Sequence, residues 1–240
     1  MKTIIEIKFN PKKNSLLQIE EWLIKEYNEK REGFYCNWTT IIKYFEQKTL
    51  AVITLNNEAI GFVCWYNSNY VARIEIMEVS PIYRKQYFGH LLFNQLNQYF
   101  IKKGIYVISL ACAPAESEKF WKKLNFIEFP LHEHFIRNDK NLYRITIPTE
   151  SEPLNINNEF IELWEAEQYL IKNEQPDKIW EVNYKEGSNQ LINPIIFPAH
   201  HDWRIRWRKG NEIIIDDKVK YFGKNKIYFD RFIIITKLIV

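Results

Sequence analysis

The amino-acid sequence predicts an α/β domain that is followed by a smaller β-rich domain, and two observations support this prediction. Helical and strand-like patterns of apolar residues alternate up to residue 147, whereas the patterns after residue 155 are mostly those of strands. Between them, the segment PTESEPLNINNE (148–159) combines two prolines with acidic and amide side chains, which is typical of a linker. We therefore predict two domains, at residues 1–150 and 151–240.

The first predicted elements are a strand and two helices. TIIEIKF (3–9) has the period-2 character of a half-buried strand. SLLQIEEWLIKEY (15–27) places apolar residues at helical spacing, with Ser15 as the expected N-cap. WTTIIKYFEQ (38–47) shows the same spacing over a shorter length. We expect these helices to pack on a sheet.

Three successive segments rich in valine, isoleucine and aromatic residues predict an antiparallel meander. Asparagine-containing turn signals separate them. The three segments are LAVITL (50–55), AIGFVCWY (59–66) and YVARIEIMEV (70–79). After them the patterns predict a helix, a buried strand, a short helix and a last strand, in LLFNQLNQYFIKKG (91–104), IYVISLAC (105–112), AESEKFWKKLNF (115–126) and LYRITI (142–147).

The second domain is expected to consist mostly of strands. They are predicted within IWEVNY (179–184), DWRIRWRKGNEIIID (202–216) and KIYFDRFIIITKLIV (226–240). The C-terminal run FIIITKLIV is too apolar to remain an exposed edge, so we expect it to be covered, either within its own small sheet or by docking. The role of this domain is open, and we expect it to select the substrate or to contact another protein.

Composition and charge exclude several classes of function. With 33 basic and 30 acidic side chains the formal net charge is +3, too small for a general polyanion binder, so we do not expect nucleic acid as a partner. The three cysteines form no CxxC pair, which predicts neither a disulfide framework nor a zinc knuckle and favours a reducing cytoplasm. The first residues lack the apolar core of a signal peptide, and no run approaches the roughly 20 apolar residues that cross a bilayer. We expect a cytoplasmic protein without a membrane partner.

The stretch VSPIYRKQYFGHLL (79–92) joins a predicted strand to a predicted helix through a basic turn. The start of a helix leaves N–H groups without acceptors, and the helix dipole adds partial positive charge there. Arg84 and Lys85 strengthen this field, and Gly89 allows the backbone to approach a ligand closely. The turn therefore predicts a site for phosphate oxygens.

Three stretches together resemble the GNAT (Gcn5-related N-acetyltransferase) superfamily. They are MEVSPIYRKQYFGHLLFNQL, VISLACAP and KFWKKLNF. The family phrase V-x-P-x-Y-R is matched by Val79, Pro81, Tyr83 and Arg84, the second glycine of the loop Q/R-x-x-G-x-G/A by Gly89, and the phrase FYxKLGF by Phe120, Lys123, Leu124 and Phe126. The resemblance covers roughly residues 1–147. It implies a mixed, mostly antiparallel sheet flanked by helices and splayed between its fourth and fifth strands.

The resemblance also implies a co-substrate and the residues that bind it. Acetyl-CoA would pair its pantetheine arm with the backbone of Val79. Its pyrophosphate would lie on the loop formed by Arg84, Lys85, Gln86, Tyr87, Phe88, Gly89 and His90. The implied reaction is direct transfer of an acetyl group to an amine, which belongs to a small molecule or a protein. The acceptor and the oligomeric state are left open.

Two carboxylates are candidates for the general base. Glu75 stands four residues before the valine of V-x-P, where many GNAT relatives carry the carboxylate that removes the proton of the substrate amine. The competing interpretation is a glutamate that faces solvent or pairs with Arg73 or Arg144. Glu78 is the second candidate. A general base is needed because only the neutral form of the amine can attack the acyl group.

Two departures from the GNAT phrases favour an alternative function. Tyr87 stands where the family has the first loop glycine, so its side chain could crowd the pyrophosphate or force another backbone path. Trp121 stands where many relatives have a tyrosine that protonates the leaving thiolate. The alternative is a catalytically impaired GNAT-like module that binds acyl-CoA or serves as a scaffold or sensor.

The remaining chemically suggestive residues are expected to be structural. Cys112 is interpreted as a buried thiol rather than a nucleophile. The two histidine pairs, at 132/134 and 200/201, are interpreted as surface residues, so we predict no metal site. Arg204, Arg206 and Arg208 share one face of a predicted strand and are expected to be neutralised by Asp216, Asp217 and Asp230 rather than to bind nucleic acid.

Overall fold

The structure is a computed structural model, and it describes residues 3–130, 140–149, 158–171, 175–229 and 231–239. The chain divides into two compact units, Met1–Thr146 and Ile147–Val240. No helix among the described residues is long and apolar enough to cross a bilayer.

The first unit contains a seven-stranded mixed sheet with the order β1-β2-β3-β4-β5-β7-β6. Its strands are β1 (Ile5–Lys8), β2 (Leu50–Leu55), β3 (Glu58–Ser68), β4 (Val71–Val79), β5 (Val107–Ala111), β6 (Ile127–Glu128) and β7 (Asn141–Ile145). Only the β4–β5 pair is parallel. The helices are α1 (Lys13–Lys30), α2 (Trp38–Glu46), α3 (Phe88–Lys102) and α4 (Glu118–Lys123). The predicted mixed, mostly antiparallel sheet with flanking helices is confirmed.

Each face of this sheet carries its own core. Alternate residues of a strand point to opposite faces, and in β3 Val63 lies in one cluster while Cys64 lies in the other. The first cluster includes α3 and α4, and the second includes α1 and α2. The apolar face predicted for α1 is buried, but the helix begins two residues before Ser15, so the predicted N-cap is wrong. Lys12 occupies that position without a side-chain cap.

A β-bulge in the middle of β4 reorients the strand. Cys64 of β3 pairs with Ile76 and the next residue, Trp65, pairs with Ile74, so Glu75 has no partner on β3. Strict alternation would place Ile74 and Ile76 on the same face. Because of the bulge, Ile74 instead joins the core under α3 and Ile76 joins the core under α1 and α2.

The β4–β5 pairing ends immediately before this bulge. The parallel register runs from Val71–Val107 to Ile74–Leu110 and stops there. β4 continues for five more residues, to Val79, without a β5 partner. The last part of β4 therefore has no strand beside it on the β5 side, which is compatible with the opening expected between the fourth and fifth strands.

The second unit is built of two antiparallel sheets, as the predicted β-rich domain requires. Their orders are β12-β11-β8-β9 and β10-β14-β13. The strands are β8 (Glu159–Trp164), β9 (Lys178–Glu181), β10 (Gln190–Pro198), β11 (Arg204–Lys209), β12 (Glu212–Lys218), β13 (Ile227–Phe229) and β14 (Phe232–Lys237). β14, the apolar C-terminal run, lies between β10 and β13, and its residues Phe232–Ile235 are buried. It is covered within its own sheet, which was the first of the two expectations.

Candidate active site

The loop between β4 and α3 ends in the start of a helix. A short 3₁₀ turn at Pro81–Tyr83 leads into it, and α3 begins at Phe88. The first backbone bond of α3 runs from the N–H of Leu91 to the carbonyl oxygen of Tyr87, at 3.0 Å. The N–H groups of residues 88–90 are therefore those that a helix start leaves without an acceptor in the helix. Together with the helix dipole they form a site suited to an anion.

Tyr87 adopts the backbone conformation of a glycine. It is the N-cap of α3, with φ 65° and ψ 1°, in the left-handed region. A side chain there costs roughly 1–2 kcal/mol of conformational strain. The tyrosine side chain is 78% exposed, so it points away from the protein interior. The loop thus keeps a glycine-like turn at this position in spite of the substitution.

A side chain at Gly89 would press on a neighbour in α4, although the dihedral angles of Gly89 would accept one. A Cβ atom at Gly89 would lie 3.3 Å from two ring carbons of Phe120. The Phe120 ring also meets His90, with the ring centroids 5.1 Å apart. The glycine of the loop phrase and the phenylalanine of the helix phrase therefore pack directly on each other.

The Arg84 side chain turns back onto the end of β4. Its Nε donates to the carbonyl oxygen of Val79 at 2.9 Å. One terminal nitrogen donates to both carboxylate oxygens of Glu26, at 2.7 and 3.0 Å, and to Oε1 of Glu78 at 2.9 Å. The guanidinium that was expected on the pyrophosphate lies on two carboxylates. Lys85 is exposed, and no carboxylate pairs with it among the described residues.

Glu26 is the site residue that the sequence interpretation missed. It lies in α1 three residues after Leu23 and seven after Ile19, so it falls on the apolar face of the helix. Its side chain is only 1% exposed. A charged residue inside an apolar stripe is rarely buried without a partner, and this was the available signal.

Glu78 belongs to a group of two carboxylates and one guanidinium, whose charges do not cancel. Its carboxylate is 15% exposed and also accepts the N–H of Val79 at 3.3 Å. Burial raises the pKa of Glu78 to about 7, and the nearby Glu26 carboxylate adds to the rise while Arg84 opposes it. Two carboxylates share one guanidinium, so the group carries an excess negative charge when both are ionised. It is suited to bind a proton near neutral pH.

Glu75 is the bulged residue of β4 and lies apart from this group. Its carboxylate is 34% exposed and is 3.3 Å from Nε of Arg73. Arg144, the other partner considered, donates instead to the carbonyl oxygen of Leu124. The pKa of the Tyr44 hydroxyl is raised to about 12, first by burial and then by the Glu75 charge. Glu75 is therefore near enough to Tyr44 of α2 for its charge to act on that hydroxyl, and it follows the last residue of β4 that pairs with β5.

Residues 15–126 match the sequence profile of the acetyltransferase (GNAT) family. The first unit of this chain belongs to the GNAT family. The match does not extend into the second unit, and a search of curated proteins returns no match.

Several solved structures resemble the chain over about 60% of its length. The PaiA N-acetyltransferase of Thermoplasma acidophilum in complex with coenzyme A is 15% identical over 59% of this chain and 99% of its own, with a TM-score of 0.49. Ard1 of Thermoplasma volcanium is 18% identical over 61% and 99%, with a TM-score of 0.47. The ribosomal-protein-S18-alanine N-acetyltransferase of Escherichia coli is 15% identical over 58% and 91%, with a TM-score of 0.47.

The last phrase of the GNAT domain is part of its core. Trp121 is 7% exposed, and its ring contacts the rings of Phe93, Phe120 and Phe126. Asn125 stands at the glycine of FYxKLGF and has φ 60°. Asparagine is among the few residues that tolerate this left-handed conformation, so the turn after α4 is preserved. The indole offers no acid to a leaving thiolate.

Cys112 of the GNAT domain is a buried thiol. It belongs to the core under α3 and α4, and burial raises its pKa. A raised pKa lowers the fraction of thiolate, so this environment does not activate a nucleophile.

Outside the GNAT domain, the histidine pair at 200/201 and the neighbouring Asp202 have two lysines close to them. His200, His201 and Asp202 bring potential ligand atoms within 4.8 Å of one another, but the ammonium groups of Lys218 and Lys220 lie 3.4 and 2.7 Å from Asp202 Oδ1 and repel a cation. His132 and His134 lie outside the described residues.

The arginine row of β11 is neutralised by carboxylates. Arg204 and Arg206 pair with Asp216 and lie over the Trp164 ring, and Arg208 pairs with Glu162. Of the three aspartates expected to do this, Asp216 does. Asp217 accepts the N–H of Lys218, and Asp230 lies outside the described residues.

Proposed function

We propose that this chain is an acyl-CoA-dependent N-acetyltransferase that moves the acetyl group of acetyl-CoA directly to an amine. One observation carries the proposal: the end of β4 that has no β5 partner continues into the loop before α3, where the helix start leaves N–H groups without helical acceptors. Residues 88–90 would bind the pyrophosphate, and the exposed Lys85 would add positive charge. The thioester arm would lie along the unpaired end of β4, as far as Val79.

Glu75 is the general base of this proposal. Because of the bulge, Glu75 has no partner on β3. It follows the last residue of β4 that pairs with β5, and it is next to the part of β4 that would hold the thioester arm. It would take the proton of the protonated amine, whose nitrogen then attacks the thioester carbon as the carbon–sulfur bond breaks. The nitrogen loses its second proton to water as the amide forms, and the departing thiolate takes a proton from water, because Trp121 cannot donate one.

Glu78 is the second candidate for the base because its pKa of about 7 suits proton transfer at neutral pH. Its contacts with Arg84 and with the N–H of Val79 oppose this role, since they hold the carboxylate on the protein itself. The comparison of Glu75→Gln with Glu78→Gln decides between the two.

The proposal is tested by thiol release from acetyl-CoA with a panel of small amines and peptides. We expect turnover on at least one acceptor. Glu75→Gln should then lower the rate roughly 10²- to 10⁴-fold with little change in acetyl-CoA affinity. Glu21→Gln, an exposed carboxylate of α1, is the matched control. Unchanged kinetics of Glu75→Gln from pH 6 to pH 9 would remove Glu75 from the mechanism.

A module that binds acyl-CoA without turnover is the second candidate, and the burial of Trp121 favours it. In that case acetyl-CoA should raise the melting temperature in proportion to its concentration, as any ligand of the folded state does, while no thiol is released. Absence of both effects at millimolar acetyl-CoA would refute both functions.

A further inference from the structure

A single arginine side chain joins three elements of the first unit. Arg84 begins the loop before α3, Glu26 lies near the C-terminal end of α1, and Glu78 and Val79 end β4. Glu26 and Arg84 are 58 positions apart in the chain. The guanidinium contacts a side chain of α1, a side chain of β4 and a main-chain oxygen of β4 at the same time.

The Glu26 carboxylate is buried for this contact. Both of its oxygens accept from Arg84, and among the described residues no other hydrogen bond to this carboxylate is found. The left-handed Gly33 leaves room for it, because a Cβ atom at Gly33 would lie 2.9 Å from Oε2 of Glu26. A buried carboxylate is costly unless it is paired and hydrogen-bonded. The burial of the Glu26 carboxylate therefore depends on its pairing with Arg84.

The pair determines where the Arg84 side chain lies. A free arginine side chain samples many rotamers, and its guanidinium is partly open to solvent here. Glu78 and the Val79 oxygen each accept one hydrogen bond, whereas Glu26 accepts two through both oxygens. Without the Glu26 carboxylate, Arg84 would keep its two contacts on β4 but lose the anchor on the helix.

We propose that Glu26 is a positioning residue of the acetyl-CoA site, which acts through Arg84 on the end of β4 and on the first residue of the loop at 84–90. This inference rests on the proposed function, because it concerns the binding of acetyl-CoA. Glu26 itself touches neither the loop amides nor the opening between β4 and β5. Its effect is to hold Val79 and the loop in the relative position that one ligand spanning both would need.

The experiment is a double-mutant cycle on acetyl-CoA affinity, measured by calorimetry on the full chain. Glu26→Gln keeps the shape and removes the charge, and we expect about a tenfold weaker affinity, with KM for acetyl-CoA raised and kcat little changed. Glu26→Asp, which keeps the charge, should recover part of the loss. Glu29→Gln, an exposed glutamate of the same helix, should bind as the unaltered chain does.

The second arm of the cycle is Arg84→Lys, which removes the forked guanidinium and keeps the charge. Because Glu26 acts through Arg84, the Glu26→Gln/Arg84→Lys double variant should bind no more weakly than Arg84→Lys alone. Losses that multiply in the double variant would overturn the inference. If Glu26→Gln does not fold, equal binding of acetyl-CoA by Arg84→Lys and by the unaltered chain would also overturn it.

The proposed function and the role of Glu26 fail in different ways. If the unaltered chain binds no acetyl-CoA, the proposed function fails, and the role of Glu26 fails with it. If the unaltered chain binds acetyl-CoA and Glu26→Gln binds it equally well, only the role of Glu26 is overturned.

Discussion

Replacing Glu78 by glutamine should flatten the pH dependence of the stability of the first unit. Glu78 has a pKa of about 7 in the folded chain, against an ordinary value of 4.5, because it is buried beside Glu26. A carboxyl with a raised pKa in the folded state contributes stability that is fully present below the unfolded value and is lost as the pH rises through the folded value. The loss should therefore fall between about pH 4.5 and pH 7.

The magnitude follows from the two pKa values. Integrating the difference in bound protons from pH 5 to pH 8 gives a loss of roughly 2–3 kcal/mol in the free energy of unfolding from this one carboxyl. In Glu78→Gln that loss is absent because glutamine does not titrate. Arg84 keeps its contact with Glu26 in this variant, and the pairing of one guanidinium with one carboxylate then balances.

The assay is chemical denaturation at pH 5 and pH 8, followed by circular dichroism, on the unaltered chain, on Glu78→Gln and on Glu21→Gln as an exposed control. The chain has two compact units, so the transition that Glu78→Gln moves is the one to compare. The unaltered chain and the control should lose roughly 2–3 kcal/mol more than Glu78→Gln between the two pH values. Equal losses in all three would refute the reasoning, since Glu78 would then titrate as an ordinary carboxyl.

Two further predictions concern the α4 turn and the second unit. Asn125 has a left-handed backbone, so Asn125→Ala should destabilise the fold by about 1 kcal/mol while Asn125→Gly should be close to neutral, as measured by thermal unfolding; equal effects of the two would contradict the strain argument. If the second unit selects the substrate, which is one of the two expectations for it, a fragment of residues 1–150 should keep acetyl-CoA binding but lose or broaden the use of acceptors in the thiol-release assay. A fragment that is insoluble, or that acetylates the acceptor as the full chain does, would contradict that expectation.

The order of elements in the first unit could be predicted from the sequence because it depends on local patterns. Periods of 2 and 3.6 residues separate strands from helices, and the turn before α3 follows from its position between them. The phrases around Val79 and Gly89 led to the GNAT family, which the sequence profile matches over residues 15–126. The prediction that β14 is covered also needed only composition, since an apolar edge strand of that kind is not stable in water.

The arrangement of charges at the site was decided only by the tertiary structure. Periodicity shows that Glu26 lies on the buried face of α1, but the residue that neutralises it is 58 positions away and is set by how α1 packs across the end of β4. The same packing turns Arg84 away from the expected phosphate site and raises the pKa of Glu78.

The bulge at Glu75 and the close packing at Gly89 both depend on contacts between different secondary-structure elements. A bulge is a mismatch between two strands, so it exists only once β3 and β4 are paired and their registers are fixed. A residue without a side chain suits position 89 because Phe120 packs against it. This is a contact between a residue of α3 and a residue of α4. A sequence pattern reports which face of an element is buried, whereas the partner across that face is fixed by the packing of distant segments. For that reason the sequence alone determined the fold and the family of the first unit, and only the tertiary structure decided how the side chains of its candidate site are paired.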